Sequence, residues 1–292
     1  MAVVARRALL RAVPEPLKER IRLAAAYGRL TSDRESLRRF AAMRRAAPAS
    51  DPAAVEPVAL RARPLGGREV LVRPGTSDAD TLWDALVRRY HLPPPEAVSP
   101  RGDPGPVSVL DLGANIGLTV AHLAETFPGA RVVGVELDAA NAALARRNVA
   151  PWSERCSLVE GAVWPEDGEL EYHGWSANTS SFRVTDDEDS TAVVRHARAV
   201  SLSSLVEELG GVDYVKMDIE GAEARVLKEA TRWAASVGAI KVEVHPPYTP
   251  RECAADLTAL GFRTRPDRWH GASMIGVRPG WSRQRFASLD SM

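Results

Sequence analysis

The chain has 292 residues, of which 45% are hydrophobic and 26% charged, and its 38 acidic side chains balance its 38 basic ones. This composition predicts a soluble globular protein and favours neither a nucleic-acid partner nor a membrane span. Cys156 and Cys253 are the only cysteines and lie far apart, which excludes a disulfide framework and a paired-cysteine zinc site and is typical of the cytoplasm.

Residues 1–57 predict an N-terminal helical arm and a linker. Apolar side chains recur at helical spacing between residues 17 and 45, and residues 47–57 are rich in proline, alanine and serine. The arginine-rich start is interpreted as part of this arm rather than as a targeting segment, because its apolar runs are short and broken by charge. We expect the arm to act as a lid over a substrate pocket or as a homodimer contact.

Residues 58–106 predict a hairpin, a helix and a loop that lead into the main domain. Residues 58–72 alternate around a Gly-Gly pair, as expected of a hairpin. Thr76 or Ser77 can cap the helix that follows. The predicted buried face of that helix consists of Leu82, Leu86 and Tyr90. Residues 91–106 contain too many prolines to continue the helix and predict a loop.

Residues 107–292 predict the main domain, in which strands alternate with helices. The predicted strands are 107–111, 131–136, 157–163, 212–218 and 239–244. Short alternating runs between residues 169 and 200 predict a small β excursion, and residues 274–277 predict a final edge strand. The expected fold class is therefore α/β, with a Rossmann-like, doubly wound and mainly parallel sheet.

The segment DLGANIG, residues 111–117, follows the first predicted strand of this domain and precedes a helix. In a doubly wound sheet, this loop usually meets the ligand. A dinucleotide fingerprint needs glycine at the positions of Asn115 and Leu118, so the loop disfavours a dinucleotide. The alternative is an ordinary strand-to-helix turn, because short glycine motifs also occur in such turns. The candidate binding residues of the loop are Asp111, Gly113, Ala114, Asn115 and Gly117.

Two carboxylates indicate which cofactor would fit instead. Glu136 ends the next predicted strand, at the position where such sheets bind ribose hydroxyls. Asp111, at the mouth of the first strand, would repel a phosphate and attract an ammonium group, unless it only caps the turn. A cofactor with a ribose, a positive charge and no phosphate is S-adenosylmethionine.

Lys216, Asp218 and Glu220 stand together at the end of the strand predicted for residues 212–218. The carboxyl ends of strands are where sites of α/β proteins are built, so all three are candidate catalytic residues. The alternative is that Asp218 caps the next helix, while Glu220 and Glu223 interact with the helix dipole.

The segments DLGANIG, VDYVKMDIEGAEARVL and KVEVHP, together with Glu136, resemble the FkbM family of S-adenosylmethionine-dependent methyltransferases. The resemblance extends from about residue 70 to residue 277, and its most specific part is K-x-D-x-E-G-x-E. It implies a class I methyltransferase fold, S-adenosylmethionine bound by the glycine loop and Glu136, and Ala162 lying against adenine. It also implies O-methylation of a hydroxylated small molecule, often a sugar, a polyketide or another secondary metabolite.

An alcohol must lose its proton when it accepts a methyl group, which calls for a base or a metal. His245 is our first choice of base because the ordinary pKa of histidine is near neutrality; the alternative is a loop histidine that packs on Pro246. Asp218 is the second choice, either as a base or, with Glu243, as a ligand for Mg²⁺. These carboxylates do not require a metal ion, because Lys216 could neutralise their charge equally well.

Trp175, Ser180 and Ser181 lie in the predicted β excursion and are candidates for contact with a sugar or ring substrate. Two alternatives to an active methyltransferase stay open from the sequence. One is a dinucleotide-dependent oxidoreductase on a similar sheet. The other is a catalytically silent relative that binds the cofactor or a partner.

Overall fold

The computed structural model describes residues 27–97, 105–174 and 193–281. The chain begins there with a helix, a β-hairpin and a second helix that continues into a π-helical turn. These elements are α1 Arg34–Met43, β1 Val58–Ala62, β2 Arg68–Val72, α2 Asp78–Trp83 and the turn Asp84–Arg88. The two strands pair antiparallel, which confirms the predicted hairpin.

The described part of the predicted arm packs on the hairpin, and the hairpin is hydrogen-bonded to the main domain. Phe40 of α1 is buried in the same hydrophobic cluster as Leu60 and Val70 of the hairpin. The side chain of Asn148, in the main domain, accepts from the N–H of Leu71 at 2.7 Å and donates to the carbonyl oxygen of Leu71 at 3.0 Å. This segment therefore contributes to the core, while the roles of lid and dimer contact stay predictions.

The helix α2 ends earlier than the sequence indicates. Its start is as expected, because Thr76 Oγ1 accepts from the N–H of Asp78 at 3.2 Å. The chain leaves the π-helical turn at Arg89, whose φ of 58° is left-handed, a conformation that does not continue a right-handed helix. Tyr90 therefore does not belong to the buried helix face and is half-buried beside the site described below.

Three sheets are found within the described ranges: the hairpin, a three-stranded sheet and a central seven-stranded sheet. In chain order, the strands after the hairpin are β3 Ser108–Leu112, β4 Arg131–Glu136, β5 Cys156–Glu160, β6 Ala162–Trp164, β7 Gly168–Gly174, β8 Val193–Ser201, β9 Val212–Met217, β10 Val237–Glu243, β11 Arg263–Pro266 and β12 Ser273–Val277. The helices among them are α3 Leu118–Thr126, α4 Ala139–Val149, α5 Leu202–Glu208, α6 Glu223–Lys228 and α7 Pro250–Ala259.

The central sheet has the order β11-β12-β10-β9-β3-β4-β5. The strands are parallel except β12, which runs antiparallel to both of its neighbours. This arrangement confirms the Rossmann-like doubly wound sheet and the class I methyltransferase fold. The strand order reverses at β3, which lies between β4 and β9, and ligands of such sheets bind at the carboxyl ends of the strands beside this switch point.

Two strand predictions were wrong in detail. Residues 273–277 form a strand that is not at the edge, because β11 pairs with its outer side. The edge strand was missed since its sequence, RTRP, lacks an apolar alternation. The strand predicted for residues 157–163 is divided at Gly161, whose φ is +157°, and its second half pairs with β8 in the small sheet.

The predicted β excursion corresponds in its described parts to β7 and β8, which pair antiparallel. No helix within the described ranges is both long and apolar enough to cross a membrane.

Candidate active site

A cavity of about 270 Å³ lies at the switch point of the central sheet. Its first wall comes from the glycine loop and the ends of β4 and β5, and the end of β9 adjoins it. A second wall comes from residues near α2 and from the strands on the other side of β9. The second wall consists of Ser77, Asp80, Thr81, Asp84, Tyr90, Glu243 and His270.

All five N–H groups of residues 113–117 donate to acceptors within the protein. Loops that bind a pyrophosphate leave such groups free to donate to phosphate oxygens. This loop therefore has no N–H group between residues 113 and 117 left for a phosphate. The acceptors are the carbonyl oxygen of Val135 for Gly113 (3.0 Å) and Ala114 (2.9 Å), Glu136 Oε2 for Asn115 (2.7 Å), Asn115 Oδ1 for Ile116 (2.7 Å) and the carbonyl oxygen of Ala114 for Gly117 (2.8 Å).

Gly113 marks the point where the loop passes closest to the end of β9. Its φ is +81°, and a Cβ at this position would lie only 1.8 Å from the carbonyl oxygen of Asp218. Gly117, with a φ of +80°, lets the loop approach α4, since its Cβ would lie 3.0 Å from Ala145. Only glycine combines these backbone angles with such close contacts.

Glu136 lines the cavity from the end of β4, and 6% of its surface is exposed. Its Oε2 accepts from the N–H of Asn115, and its Oε1 accepts from the N–H of Asp138 at 2.9 Å. Burial raises the pKa of Glu136 to about 7, although the backbone N–H groups act in the opposite direction. Because each oxygen has a further lone pair, this fixed carboxylate can accept hydrogen bonds from the hydroxyls of a ligand.

Asp111 and Lys216 form a buried ion pair underneath the glycine loop. Lys216 Nζ lies 3.2 Å from Asp111 Oδ1 and 3.4 Å from Asp218 Oδ2, and it donates to the carbonyl oxygen of Gly113 at 2.8 Å. Burial would lower the pKa of Lys216, but the charge of Asp111 raises it well above the ordinary value. Lys216 is thus a cation that holds the loop against β9, which makes it a positioning residue.

The carboxylate of Asp111 is fully buried and does not line the cavity. Besides Lys216, it accepts a hydrogen bond from the hydroxyl of Thr119. Burial raises the pKa of this carboxyl group, and the nearby Lys216 opposes that shift. The structure therefore gives Asp111 protein partners, and the predicted contact with the cofactor's ammonium group stays a prediction.

His245 lies among carboxylates behind the cavity wall. Its Nδ1 is hydrogen-bonded to Glu223 Oε1 at 2.8 Å, and its Nε2 lies 3.4 Å from Glu220 Oε2 and 3.8 Å from Asp218 Oδ1. Burial would lower the pKa of His245, but the Glu223 hydrogen bond and the other carboxylates raise it to about 9. The choice of His245 as the base rested on the ordinary pKa of histidine, and the sequence could not show how many carboxylates surround the ring.

His270 is a site residue that the sequence analysis missed. It lines the cavity, its Nδ1 is hydrogen-bonded to Ser273 Oγ at 2.8 Å, and its Nε2 lies 3.8 Å from Glu243 Oε1. Burial raises the pKa of Glu243 to about 7, and the charge of Asp218 acts in the same direction. His270 precedes the antiparallel strand β12, so its loop reaches the carboxyl edge of the parallel strands. If the sequence had shown that the last strand runs antiparallel to β10, His270 could have been placed at this edge of the sheet.

The structure brings most of the predicted site residues to this cavity. Those that line it are Gly113, Ala114, Asn115, Glu136, Ala162, Asp218, Glu220 and Glu243. Asp111, Gly117, Lys216 and His245 lie behind its walls. Trp175, Ser180 and Ser181 lie outside the described residues. Asp218 and Glu243 were the ligands considered for a metal, if one is bound; the described ligand atoms within 4.8 Å of one another belong to Asp218, Glu220 and His245.

The family model described as "Methyltransferase FkbM domain" matches residues 111–264, more than half of the chain. Two curated sequences from strains of Porphyromonas gingivalis, both tRNA1(Val) (adenine(37)-N6)-methyltransferases, are 42% identical over 60 residues. That match covers 20% of this chain and 24% of the relatives, so the chain spans about a quarter of the length of the curated proteins it matches.

Solved structures similar to this chain include methyltransferases of low sequence identity. Precorrin-6y C5,15-methyltransferase from Geobacter metallireducens is 11% identical, with a TM-score of 0.37 over 59% of this chain and 79% of the other. An O-methyltransferase family protein from Burkholderia thailandensis is 14% identical, with a TM-score of 0.38 over 69% and 60%. Magnesium protoporphyrin IX methyltransferase from Synechocystis, with bound S-adenosylmethionine, is 13% identical, with a TM-score of 0.38 over 61% and 72%.

Proposed function

Because this chain belongs to the FkbM methyltransferase family, we propose that it transfers a methyl group from S-adenosylmethionine to a hydroxyl oxygen of a small, neutral, polyhydroxylated molecule. The proposal is carried by the glycine loop, whose N–H groups at residues 113–117 all have acceptors within the protein. A pyrophosphate needs such groups, whereas S-adenosylmethionine has no phosphate. This observation favours S-adenosylmethionine over the dinucleotide that an oxidoreductase would use.

The first wall of the cavity fits the parts of S-adenosylmethionine. Glu136 would accept hydrogen bonds from the ribose hydroxyls, and Ala162 and Val163 would lie beside the base. Asp218 and the carbonyl oxygens of the loop are acceptors for the ammonium group. When bound, S-adenosylmethionine supplies an electrophilic methyl group, so the protein mainly has to orient the acceptor oxygen and take up its proton.

Cofactor affinity is expected to rise with pH, because ribose hydroxyls donate to the ionised form of Glu136. In the free protein this carboxyl has a pKa of about 7. The dissociation constant for S-adenosylmethionine at pH 6 should therefore be about tenfold higher than at pH 8. Calorimetric titration at both values measures the ratio. Glu136→Gln should bind weakly at either pH, and an unchanged pH dependence in this variant would mean that another group causes it.

The second wall supports a polyhydroxylated acceptor. Ser77, Thr81 and Tyr90 offer hydroxyl groups, and Asp84 and Glu243 offer carboxylates that accept from sugar hydroxyls. The carboxylates also repel anions, which disfavours phosphorylated acceptors and nucleic acids. Within the described residues, this supports a sugar-containing acceptor more directly than an apolar polyketide. The role in secondary metabolism rests on the family resemblance alone.

His270 is the imidazole best placed to take the proton of the acceptor hydroxyl. It lines the cavity, whereas His245, the base expected from the sequence, lies behind the wall. In the tautomer in which Nδ1 of His270 donates to Ser273 Oγ, the Nε2 atom is unprotonated and can act as the base. Loss of a general base typically costs about 100-fold to 10,000-fold in rate.

The proposal is tested by incubating the full chain with methyl-labelled S-adenosylmethionine and four acceptors. These are a neutral methyl glycoside, its 6-phosphate, a macrolactone aglycone and an oligoribonucleotide. We expect label in the glycoside, at least about tenfold less in the phosphate, and a loss of about 100-fold or more in His270→Gln. Arg268→Ala, an exposed substitution in the same loop, is the matched control and should keep the activity.

Label that enters only the phosphate or the oligoribonucleotide would contradict the proposed acceptor class. Full activity of His270→Gln would exclude His270 as the base.

A further inference from the structure

Three metal-ligating side chains converge beside the cavity where β9 and β10 end. Asp218 and Glu220 follow β9, and His245 follows β10, the neighbouring parallel strand. One ligand atom from each side chain lies within 4.8 Å of the other two. The exposed side-chain fractions are 19% for Asp218, 21% for Glu220 and 14% for His245, so the group is shielded but reachable.

Glu223 fixes the geometry of this group from behind. It is fully buried, and its Oε1 is hydrogen-bonded to Nδ1 of His245 at 2.8 Å. The same side chain accepts from the N–H of Ile219 at 3.2 Å and from that of Gly221 at 2.9 Å. It therefore holds the imidazole and the turn that carries both other ligands. A buried carboxylate on the far nitrogen of a histidine is the usual support of a metal-binding imidazole.

Negative charge exceeds positive charge at this place. The carboxylates of Asp218, Glu220 and Glu223 surround a single imidazole, and Lys216 is shared between Asp218 and the buried Asp111. A cation at this position would relieve the mutual repulsion.

We propose that Asp218, Glu220 and Nε2 of His245 bind a divalent cation of the Mn²⁺ or Mg²⁺ type. The two carboxylate oxygens suit both ions, and the imidazole nitrogen favours Mn²⁺ of the two. Three protein ligands leave further coordination positions for water or a substrate oxygen. Asp218 and Glu220 line the cavity, so an ion bound by them would lie beside it. Glu243, which the sequence analysis paired with Asp218, is not a member of this ligand group.

The use of the ion rests on the proposed function. A divalent cation that coordinates the acceptor hydroxyl lowers its pKa and fixes its oxygen for methyl transfer. His270 lines the same cavity and would take up the proton released there. Binding of the ion itself does not depend on this role, so it can be tested without an acceptor.

The test is a titration of the full chain with MnCl₂, without S-adenosylmethionine, followed by electron paramagnetic resonance. We expect about one bound ion per chain and a coupling of its signal to a nitrogen nucleus of the imidazole. Glu220→Gln should weaken binding by at least about tenfold, and His245→Gln should do the same and remove the nitrogen coupling. Asp84→Asn, which removes a carboxylate of the second wall, is the matched control and should keep both properties.

Two further measurements make the outcome decisive. Thermal unfolding of each variant, and its titration with S-adenosylmethionine, show whether the fold and the cofactor site persist. The proposal is overturned if the unaltered chain binds no Mn²⁺ below millimolar concentration, or if folded Glu220→Gln and His245→Gln bind it normally. It is also overturned if Glu243→Gln abolishes binding while Glu220→Gln does not. If the unaltered chain does not bind S-adenosylmethionine, this result would instead contradict the proposed function.

Discussion

Gly113→Ala is expected to weaken cofactor binding strongly and to lower the stability of the fold. The new Cβ would lie 1.8 Å from the carbonyl oxygen of Asp218, and that atom belongs to the backbone and cannot rotate away. Either the loop or the end of β9 must move, and the φ of +81° is unfavourable for alanine. We expect a loss of about 2–5 kcal/mol in the free energy of unfolding. Affinity for S-adenosylmethionine should fall about 100-fold, because the loop no longer aligns with Glu136.

Urea denaturation and calorimetric titration measure the two effects. Gly210→Ala is the matched control, since Gly210 has a φ of +62° and a Cβ there would meet no atom within 4 Å. It should lose only about 1–2 kcal/mol and bind the cofactor normally. Equal losses of stability and of cofactor affinity in the two variants would show that the close approach to Asp218 does not cause the effect of Gly113→Ala.

Lys216→Met is expected to have the second large effect. The methionine fills a similar volume but leaves the fully buried Asp111 without its cation, and the carbonyl oxygen of Gly113 loses its donor. Breaking a buried ion pair by removing one partner costs about 3–5 kcal/mol, because an uncompensated charge stays inside. We also expect weaker cofactor binding, since Lys216 holds the glycine loop against β9.

The double variant Lys216→Met with Asp111→Asn separates charge from packing. Because it removes both charges, it should recover at least half of the lost stability measured by urea denaturation. Lys241→Met is the matched control on the neighbouring strand β10, since Lys241 Nζ lies 2.7 Å from Asp267 Oδ2 and does not contact the glycine loop. It should lose stability to a similar degree and keep its affinity for S-adenosylmethionine. No recovery in the double variant would contradict the ion pair as the cause.

The main features of the fold were predictable because they follow from apolar pattern and strand-end chemistry. The strand at residues 131–136 has the sequence RVVGVE, an apolar run that ends in Glu136, and a parallel sheet buries such runs on both faces. The position of Glu136 at the end of β4 follows from the same pattern. The edge strand Arg263–Pro266 could not be recognised, since an edge strand of four mostly polar residues has no such signature.

The directions of side chains at the strand ends were harder to predict. Asp111 and Asp218 both stand at such ends, yet the first is fully buried and the second lines the cavity. A strand alternates its side chains between two faces, but a sequence does not show which face a terminal residue meets. Asp84 and His270 reach the cavity from segments far away in the chain, and only the tertiary structure brings them there.

In the proposed function, the glycine loop and Glu136 hold S-adenosylmethionine rather than a dinucleotide. Calorimetric titration of the full chain with S-adenosylmethionine, S-adenosylhomocysteine and NAD⁺ tests it most directly, together with Glu136→Ala. We predict saturable binding of the first two ligands, none of NAD⁺, and a loss of binding in the variant. Binding of NAD⁺ without binding of S-adenosylmethionine would contradict the account and point to a redox enzyme.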